Sequence, residues 1–279
     1  RRPLLFKSLV RRVVDRLEGY DVLIGHSFTG SYIAYKAHVR YGTMFFANWH
    51  GSDVHTHPWR LPMMLDDTRK IMKNAACNFF VSKALKDFSD RIATDVCKEV
   101  LYNGVSDSFV KFSEAERVAA RKRFGLSEGE RSVSFAGSLV SVKNVRALAP
   151  VFRKIRERYE GTVRFLIAGD GKLRSAVEAD MVAAGLDVSF LGNLKAEEMP
   201  AFMNSTDVLV LPSLNEGLPL VCAEALRCGA NAAGSDVGGI PEVIGAENVF
   251  PLGPDFTDAL ADRVVQMLQG NVRQQVPSE

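Results

Sequence analysis

Two carboxylates stand close together in the segment SLNEGLPLVCAEALRCG, residues 213–229. Glu216 lies in a Gly/Pro-rich turn, and Glu224, separated from it by seven residues, lies in an apolar stretch with helical spacing. A helix with Pro219 in its first turn would direct free N–H groups and the positive end of its dipole toward that turn. Carboxylates there repel phosphate but accept hydrogen bonds from sugar hydroxyls. The segment therefore favours a ligand with phosphates between two sugars, which is a nucleotide sugar.

The strand candidate 208–213 leads directly into this turn. In an open α/β sheet, ligands bind at the carboxyl ends of the strands, so Glu216 would lie in the ligand crevice. Gly217 would let the backbone approach the ligand closely. The alternative is that Glu216 and Glu224 are ordinary solvent-facing charges, which is the commoner role of Glu.

Apolar, β-branched runs alternate with helix-period segments along the chain, which predicts an α/β fold with doubly wound parallel sheets. The strand candidates are 21–26, 43–50, 78–83 and 98–104, followed by 132–138, 163–170, 188–193, 208–213, 230–235 and 248–253. The helix candidates are 5–18, 28–40, 59–75, 83–93, 114–124, 144–158, 172–184, 195–204, 218–228 and 256–269.

A length of 279 residues predicts two domains. The polar, charged segment 104–132 separates two sets of strands, so we place an N-terminal Rossmann-like domain at 1–108 and a C-terminal one at 109–279. The first set has four strands and is preceded by a helix, whereas a doubly wound domain begins with a strand. We therefore expect the N-terminal domain to be incomplete.

The composition is that of a globular cytoplasmic protein. The chain is 47% hydrophobic with a net charge of +2, which argues against nucleic acid as a partner. No apolar run is long enough to span a bilayer. The cysteines lack metal-type spacing, and we expect all four to be reduced; they are Cys77, Cys97, Cys222 and Cys228.

The run SLNEGLPLVCAEALRCGANAAGSDVGGIPEVIG (213–245) resembles the C-domain signature of family-4 retaining glycosyltransferases, which have the GT-B fold. Weaker similarities occur in the expected order across about 21–253. They are NWHGSD (48–53), FFVSKALKD (79–87), LYNGVSD (101–107), FAGSLVSVKN (135–144), IAGDGKL (167–173) and FLGNLKAEEMPAFMNSTDVLVLPS (190–213).

This resemblance implies two Rossmann-like domains facing a cleft and transfer of a sugar from a UDP- or GDP-sugar to a glycan or lipid acceptor. It assigns Glu216 to the donor sugar, Glu224 to the nucleotide ribose and Lys143 to the diphosphate. The remaining donor-binding candidates are Gly137, Ser138, Gly217, Leu218, Pro219 and Leu220. A bacterial cell-surface polysaccharide or glycolipid pathway is the expected setting.

One position departs from the family pattern. Ser138 stands where the family usually has an Arg that acts with Lys143, so the leaving diphosphate would be stabilised less strongly. This favours an alternative function, a nucleotide-sugar-binding module without turnover; an epimerase of the same fold lacks the Glu pair. No Asp-x-Asp follows a strand, so we expect no metal and no cofactor, with Lys143 and helix N–H groups stabilising the leaving group.

His50, in NWHGSD, resembles the N-domain residue at the family's reaction centre; the alternative is a structural histidine. A zinc site with His55 and His57 is disfavoured because these loop positions lack a Cys or carboxylate at ligand spacing. Three further residues have expected local roles: Asp53 and Ser82 as caps and Asn103 in a turn that shapes the interdomain cleft.

The opening helix, 4–17, is basic and amphipathic. Its apolar stripe would comprise Leu5, Leu9, Val13 and Leu17, surrounded by Arg1, Arg2, Lys7, Arg11, Arg12 and Arg16. Such a helix can lie on anionic lipid, which would make the protein peripheral at the inner face of the membrane. The alternative is an ordinary packing helix with solvated charges.

Overall fold

The computed structural model describes residues 2–272 and 274, with side chains from Ser8 onward. The chain divides into two compact units, of which the first ends at Asn103 and the second begins at Gly104. Both are α/β, as the alternation of strands and helices predicts.

Among the described residues, the first unit has a four-stranded parallel sheet in the order β1-β2-β3-β4. Its strands are β1 Val22–His26, β2 Met44–Trp49, β3 Asn78–Phe80 and β4 Lys98–Val100. Its helices are α1 Arg2–Val14, α2 Ser27–Tyr41, α3 Ser52–His55, α4 Pro62–Asn74 and α5 Lys83–Phe88. All four strand predictions are confirmed, but α3 was not predicted and α4 begins later than 59, because Pro62 occupies its first turn.

The prediction that all cysteines are reduced is wrong for one pair. Cys77 and Cys97 form a disulfide with their Cα atoms 4.7 Å apart. Each cysteine immediately precedes a strand, and β3 and β4 pair in register from Asn78 opposite Lys98. The strand register therefore brings together two thiols that are 20 residues apart in sequence. Cys222 and Cys228 are free and buried.

The predicted apolar stripe of α1 is wrong at Leu9, whereas Val13 is half-buried and Leu17 packs against the cluster of Val10, Val14 and Ala37. Val10 and Val14 are buried and pack with Ala37 of α2, whereas Leu9 is 58% exposed. The buried positions, Val10 and Val14, each lie one residue beyond the predicted Leu9 and Val13. The side chains of the predicted Leu5, Arg1, Arg2 and Lys7 lie outside the described residues.

The second unit has, among its described residues, a six-stranded parallel sheet in the order β10-β9-β8-β5-β6-β7. The strands are β5 Arg131–Ala136, β6 Val163–Ala168, β7 Val188–Gly192, β8 Val208–Leu211, β9 Asn231–Ser235 and β10 Val249–Phe250. The helices are α6 Glu114–Arg123, α7 Leu148–Arg158, α8 Arg174–Ala183, α9 Met199–Ser205, α10 Leu220–Arg227, α11 Ile240–Ile244 and α12 Phe256–Leu268. The six strand predictions are confirmed, and α11 was not predicted.

The chain runs from β5 outward through β6 and β7, then returns to β8 on the other side of β5. The connections after β5 and β8 therefore leave the sheet in opposite directions and open a crevice between them. Every strand that borders this crevice is buried along most of its length. The topology thus selects the carboxyl ends of β5 and β8 as the place for a ligand.

Candidate active site

The loops that follow β5 and β6 touch through glycine. Gly169 has φ +130°, and a Cβ there would lie 2.0 Å from the carbonyl oxygen of Gly137. The Gly137 N–H donates to the Ala168 carbonyl at 2.9 Å, and the Leu139 N–H donates to the Asp170 carbonyl at 2.9 Å. Only glycine permits this approach, so Gly169 determines where the Gly137–Ser138 turn lies.

Lys143 and Glu216 form an ion pair at the crevice. The Lys143 Nζ donates to Glu216 Oε1 at 2.6 Å, and the Ser213 hydroxyl donates to the same oxygen at 2.7 Å. The Leu214 N–H donates to the Val142 carbonyl at 2.8 Å, which joins the loops after β5 and β8. The structure therefore brings together two predicted site residues that are far apart in sequence.

A residue that the sequence reasoning missed lies directly against the backbone of Glu216. Gly238 has φ +53°, and a Cβ there would lie 1.9 Å from the Glu216 carbonyl oxygen. The GG dipeptide in DVGGIPE was the available signal, because paired glycines mark turns or close backbone approach. Gly217, for which a close approach to the ligand was predicted, is buried.

Helix α10 begins at Leu220, two residues later than the predicted 218. Pro219 is its N-cap residue, with φ −79° and ψ 90°, rather than a residue of the first turn. Extended backbone at Pro219 ends the turn, and Leu220 starts the helix. Pro219 is buried and Leu218 and Leu220 are half-buried.

Glu224 lies in the second turn of α10 and lines a cavity of about 320 Å³. Burial raises the pKa of the Glu224 carboxyl. Of the described residues, the cavity is lined by Glu224 with Ala136, Gly137, Ser138, Ala168, Gly169, Asn193, Leu194, Met199 and Val221. The predicted Gly137, Ser138 and Glu224 thus share one cavity, whereas the segment 217–220 is absent from this lining set.

The cavity residues from β7 onward were also missed in the sequence. Asn193 and Leu194 directly follow β7, in a stretch matched to the family but not assigned a role. Cys222 is fully buried in α10. The pKa of its thiol is raised, mainly because of burial and secondly because of the nearby Glu216 carboxylate. Cys222 therefore packs beneath the site as a neutral apolar group.

In the first unit, His50 follows β2 and is half-buried. Asp53 accepts hydrogen bonds from the backbone N–H groups of His50, at 3.1 Å, and Gly51, at 2.8 Å. Burial lowers the pKa of His50, while Asp53 raises it and His26 lowers it further. Asp53 therefore lies within α3 and binds the backbone that precedes it, whereas the N-cap of α3 is Gly51. Ser82 is confirmed as a cap, because its hydroxyl accepts from the Leu85 N–H at 3.2 Å.

Of the two histidines grouped with His50 in the disfavoured zinc site, His55 has its ring in a local cluster. The His55 ring contacts the Thr56 hydroxyl at 2.9 Å and packs edge-on against Phe88. Within residues 2–272 and 274, no three His, Cys, Asp or Glu side chains are grouped so as to hold a metal ion. Asn103 is the last residue of the first unit.

Similarity to known proteins defines the class. The TM-score is 0.81 to Anabaena Alr3699/HepE in complex with UDP and glucose, at 18% identity, covering 95% of this chain and 72% of that chain. It is 0.80 to sucrose-phosphate synthase from Thermosynechococcus elongatus, at 20% identity, covering 95% and 70%. These likenesses establish the fold: two α/β units with parallel sheets, as in GT-B glycosyltransferases.

The family follows from the sequence of the second unit. The profile described as "Glycosyl transferases group 1" matches residues 130–270. The chain belongs to this group 1 glycosyltransferase family.

Two curated relatives illustrate the match. An uncharacterized glycosyltransferase of Methanocaldococcus jannaschii is 30% identical over 202 residues, which cover 66% of this chain and 50% of that protein. The 2-deoxystreptamine glucosyltransferase of Streptomyces kanamyceticus is 32% identical over 150 residues, covering 53% and 38%. The matched regions thus span half or less of these relatives.

Proposed function

We propose that the protein is a retaining glycosyltransferase that moves a sugar from a UDP- or GDP-sugar to a glycan or lipid acceptor. The carrying observation is the arrangement at the switch point of the second sheet. There, Glu224 faces a cavity with Gly137 and Ser138, and Glu216 is paired with Lys143. HepE, which shares the fold, has been crystallised with UDP and with UDP-glucose.

The two carboxylates would divide the donor between them. Glu224 accepts hydrogen bonds from the ribose hydroxyls, and Glu216 accepts from a hydroxyl of the transferred sugar. The ion pair to Lys143 holds the Glu216 carboxylate in one orientation and places a cation beside the position of the diphosphate. Leu218 and Leu220 flank the N–H groups at the start of α10, which are available to the same diphosphate.

Departure of the nucleoside diphosphate needs stabilisation of its developing negative charge. Lys143 and the N–H groups of α10 supply it without a metal ion, since preorganised donors and cations act best in a site that excludes water. The transfer then proceeds on the front face of the sugar, with the acceptor entering on the side from which the diphosphate leaves. NMR of the product should show a retained anomeric configuration, and EDTA should leave the rate of transfer unchanged. An inverted product would contradict this mechanism.

A second candidate function rests on Ser138. Its exposed side chain lines the cavity but carries no charge. The protein would then bind nucleotide sugars without turning them over. Ser138→Arg separates the two functions, because an added cation should raise the transfer rate of a slow enzyme and leave a binding module inactive.

Calorimetric titration of UDP-, GDP- and other nucleotide sugars, on wild type and on Glu216→Ala and Glu224→Ala, tests the donor site. Glu224→Ala should weaken the binding of the free nucleoside diphosphate and of the nucleotide sugar to the same extent. Glu216→Ala should keep its affinity for the free nucleotide but bind nucleotide sugars with different sugars equally well. Nucleotide binding that is unaffected by Glu224→Ala would refute the ribose assignment.

The acceptor site would lie in the first unit, around His50. We infer a glycan or lipid-linked acceptor of cell-surface polysaccharide or glycolipid synthesis, and contact of α1 with anionic lipid at the inner face of the membrane. The exposed Arg11, Arg12 and Arg16 support this contact. Among the described residues, no helix is both long and apolar enough to cross a bilayer. Sedimentation with anionic but not neutral liposomes is the expected result, and equal sedimentation with both would contradict it.

A further inference from the structure

Two histidines from neighbouring strands meet at the carboxyl edge of the first sheet. His26 is the last residue of β1 and is paired in register with Asn48 of β2. His50 lies two residues beyond Asn48, so the three side chains share one face of the sheet. The His26 Nδ1 lies 3.2 Å from the His50 Nε2, with ring centroids 5.5 Å apart.

Both rings are attached to firmly held backbone. A Cβ at Gly25 would lie 2.4 Å from the Ser31 Cα, and the Ser31 hydroxyl donates to the Gly25 carbonyl at 3.0 Å. This tight passage from β1 into α2 leaves Ser27 in the left-handed region, at φ 56°. On the other strand, the Asp53 carboxylate anchors the His50 backbone. The ring contact is therefore determined by the fold.

Hydrogen bonding at this edge is incomplete. Asn48 is 6% exposed, and its buried Oδ1 has no partner among the described residues. Such buried polar atoms are few in native proteins, and they mark places completed by water or by a ligand. The described contacts of the His pair engage only Nδ1 of His26 and Nε2 of His50, which leaves the opposite ring nitrogens for a ligand.

A neutral imidazole has one donor and one acceptor nitrogen. If His50 donates through Nε2, its Nδ1 is an acceptor; if it accepts through Nε2, its Nδ1 is a donor. The bond to His26 therefore decides what His50 offers on its other side. Burial lowers the pKa of His50, and His26 lowers it further, although Asp53 raises it. The lowered pKa agrees with a neutral ring.

We propose that His26 is a positioning residue for His50: the ring-to-ring hydrogen bond fixes the orientation and tautomer of His50, so that its Nδ1 meets a hydroxyl of the sugar-bearing ligand. This inference rests on the proposed function, in which His50 belongs to the reaction centre. It adds a residue, His26, to which neither the family resemblance nor the comparisons assign a role.

Three variants of the full chain test it, because amide side chains reproduce different imidazole nitrogens. His26→Asn keeps a polar group near the position of Nδ1 and retains the bond to His50. His26→Gln places its amide near the position of Nε2, and His26→Ala has none, so both lose the bond. One hydrogen bond corresponds to about a 3- to 10-fold change in rate.

The first readout is NMR of the imidazole nitrogens. His50 should show a single tautomer in wild type and in His26→Asn, and averaged tautomers in His26→Gln and His26→Ala. Averaged tautomers in wild type would overturn the proposal. This readout does not need turnover, so it remains decisive if no donor is ever transferred, an outcome that would refute only the proposed function.

The second readout is steady-state kinetics of the same variants. We expect kcat to fall about 3- to 10-fold in His26→Ala and His26→Gln, to be restored in His26→Asn, and KM for the donor to stay constant. His38→Asn is the matched control, because the His38 ring binds the Thr43 carbonyl in the same unit, at 3.0 Å, and should leave kcat unchanged. Equal loss in His26→Asn and His26→Ala would overturn the proposal.

Discussion

The two ends of the sheet in the second unit use charge differently. At the amino end, Asp207 precedes β8 and receives hydrogen bonds from Arg117 at 2.8 Å and Arg121 at 3.1 Å, with Arg131 at 3.4 Å. The Ser132 N–H and hydroxyl also donate to it, at 2.8 and 3.0 Å. Every lone pair of this carboxylate is directed to a group of the chain itself.

At the carboxyl end, the charges are only partly satisfied. Glu216 has Lys143 and Ser213 as partners on one oxygen. Glu224 faces a cavity, and burial raises the pKa of its carboxyl. A buried carboxylate without a full set of hydrogen-bond partners destabilises the ligand-free protein. The fully bonded Asp207, in contrast, joins α6, β5 and β8.

The difference teaches how to separate structural from functional charge within one sheet. A buried carboxylate with a complete set of partners stabilises the fold. A desolvated carboxylate that lacks a full set of hydrogen-bond partners is a candidate binding group, because a ligand can supply the missing partners. Three variants, each with a matched control, give four predictions that test this contrast.

The largest expected effect is that of Asp207→Asn on the free energy of unfolding. Removing one partner of a buried ion pair leaves charge uncompensated. We expect a loss of about 3 kcal/mol, the lower end of the usual range, because Arg131 and Arg117 reach solvent. Chemical denaturation measures it.

The matched control is Asp187→Asn, whose carboxylate is 86% exposed in its pair with Arg164. That change should cost less than about 1 kcal/mol. Equal costs for the two variants would show that saturation at Asp207 contributes nothing to the fold.

Lys143→Met should have the next largest effect, on kcat. Under the proposed function the variant loses the cation that stabilises the departing diphosphate, and losing one such group lowers rates by about 10²- to 10³-fold. Lys154→Met is the control, because Lys154 of α7 is also a largely buried, paired lysine. It binds Thr257 and Asp258 of α12. If both variants lower kcat equally, Lys143 has no special role.

Glu224→Gln should weaken binding of the nucleotide sugar by roughly 10- to 100-fold, since a charge-assisted hydrogen bond contributes about 1.5–3 kcal/mol. Calorimetry gives the change in Kd. Glu178→Gln serves as the control, because its carboxylate is in a half-exposed pair with Arg174 on α8. An unchanged Kd in Glu224→Gln would remove Glu224 from the donor site.

The same variant should raise the stability of the ligand-free protein slightly near pH 7. The folded pKa of Glu224 lies above its ordinary value of 4.5, so folded protein binds more protons than unfolded protein between the two values. The stability of wild type therefore falls as the pH rises through that window. The Tm advantage of Glu224→Gln should vanish below pH 4.5, and an advantage independent of pH would contradict this origin.

Much of this architecture could be predicted because parallel strands buried on both faces are continuously apolar, and such runs are short and bounded by glycine and polar residues. The same pattern locates Glu216 and Glu224 at a strand's carboxyl end. Short elements such as α3 and α11 escaped prediction because one helical turn carries no periodicity. The face of α1 was misplaced because adjacent apolar residues, Leu9 and Val10, allow two registers that only packing on α2 separates.

The sequence by itself determined the class of fold, the order of its elements and the segment that carries the two carboxylates, because these depend on local pattern and residue type. Tertiary structure alone decided the partners: Lys143 with Glu216, Cys77 with Cys97, and His26 with His50. Each pair comes from a different strand connection. Their separation in space is set by strand order and register, which are properties of the assembled sheet and not of any one segment.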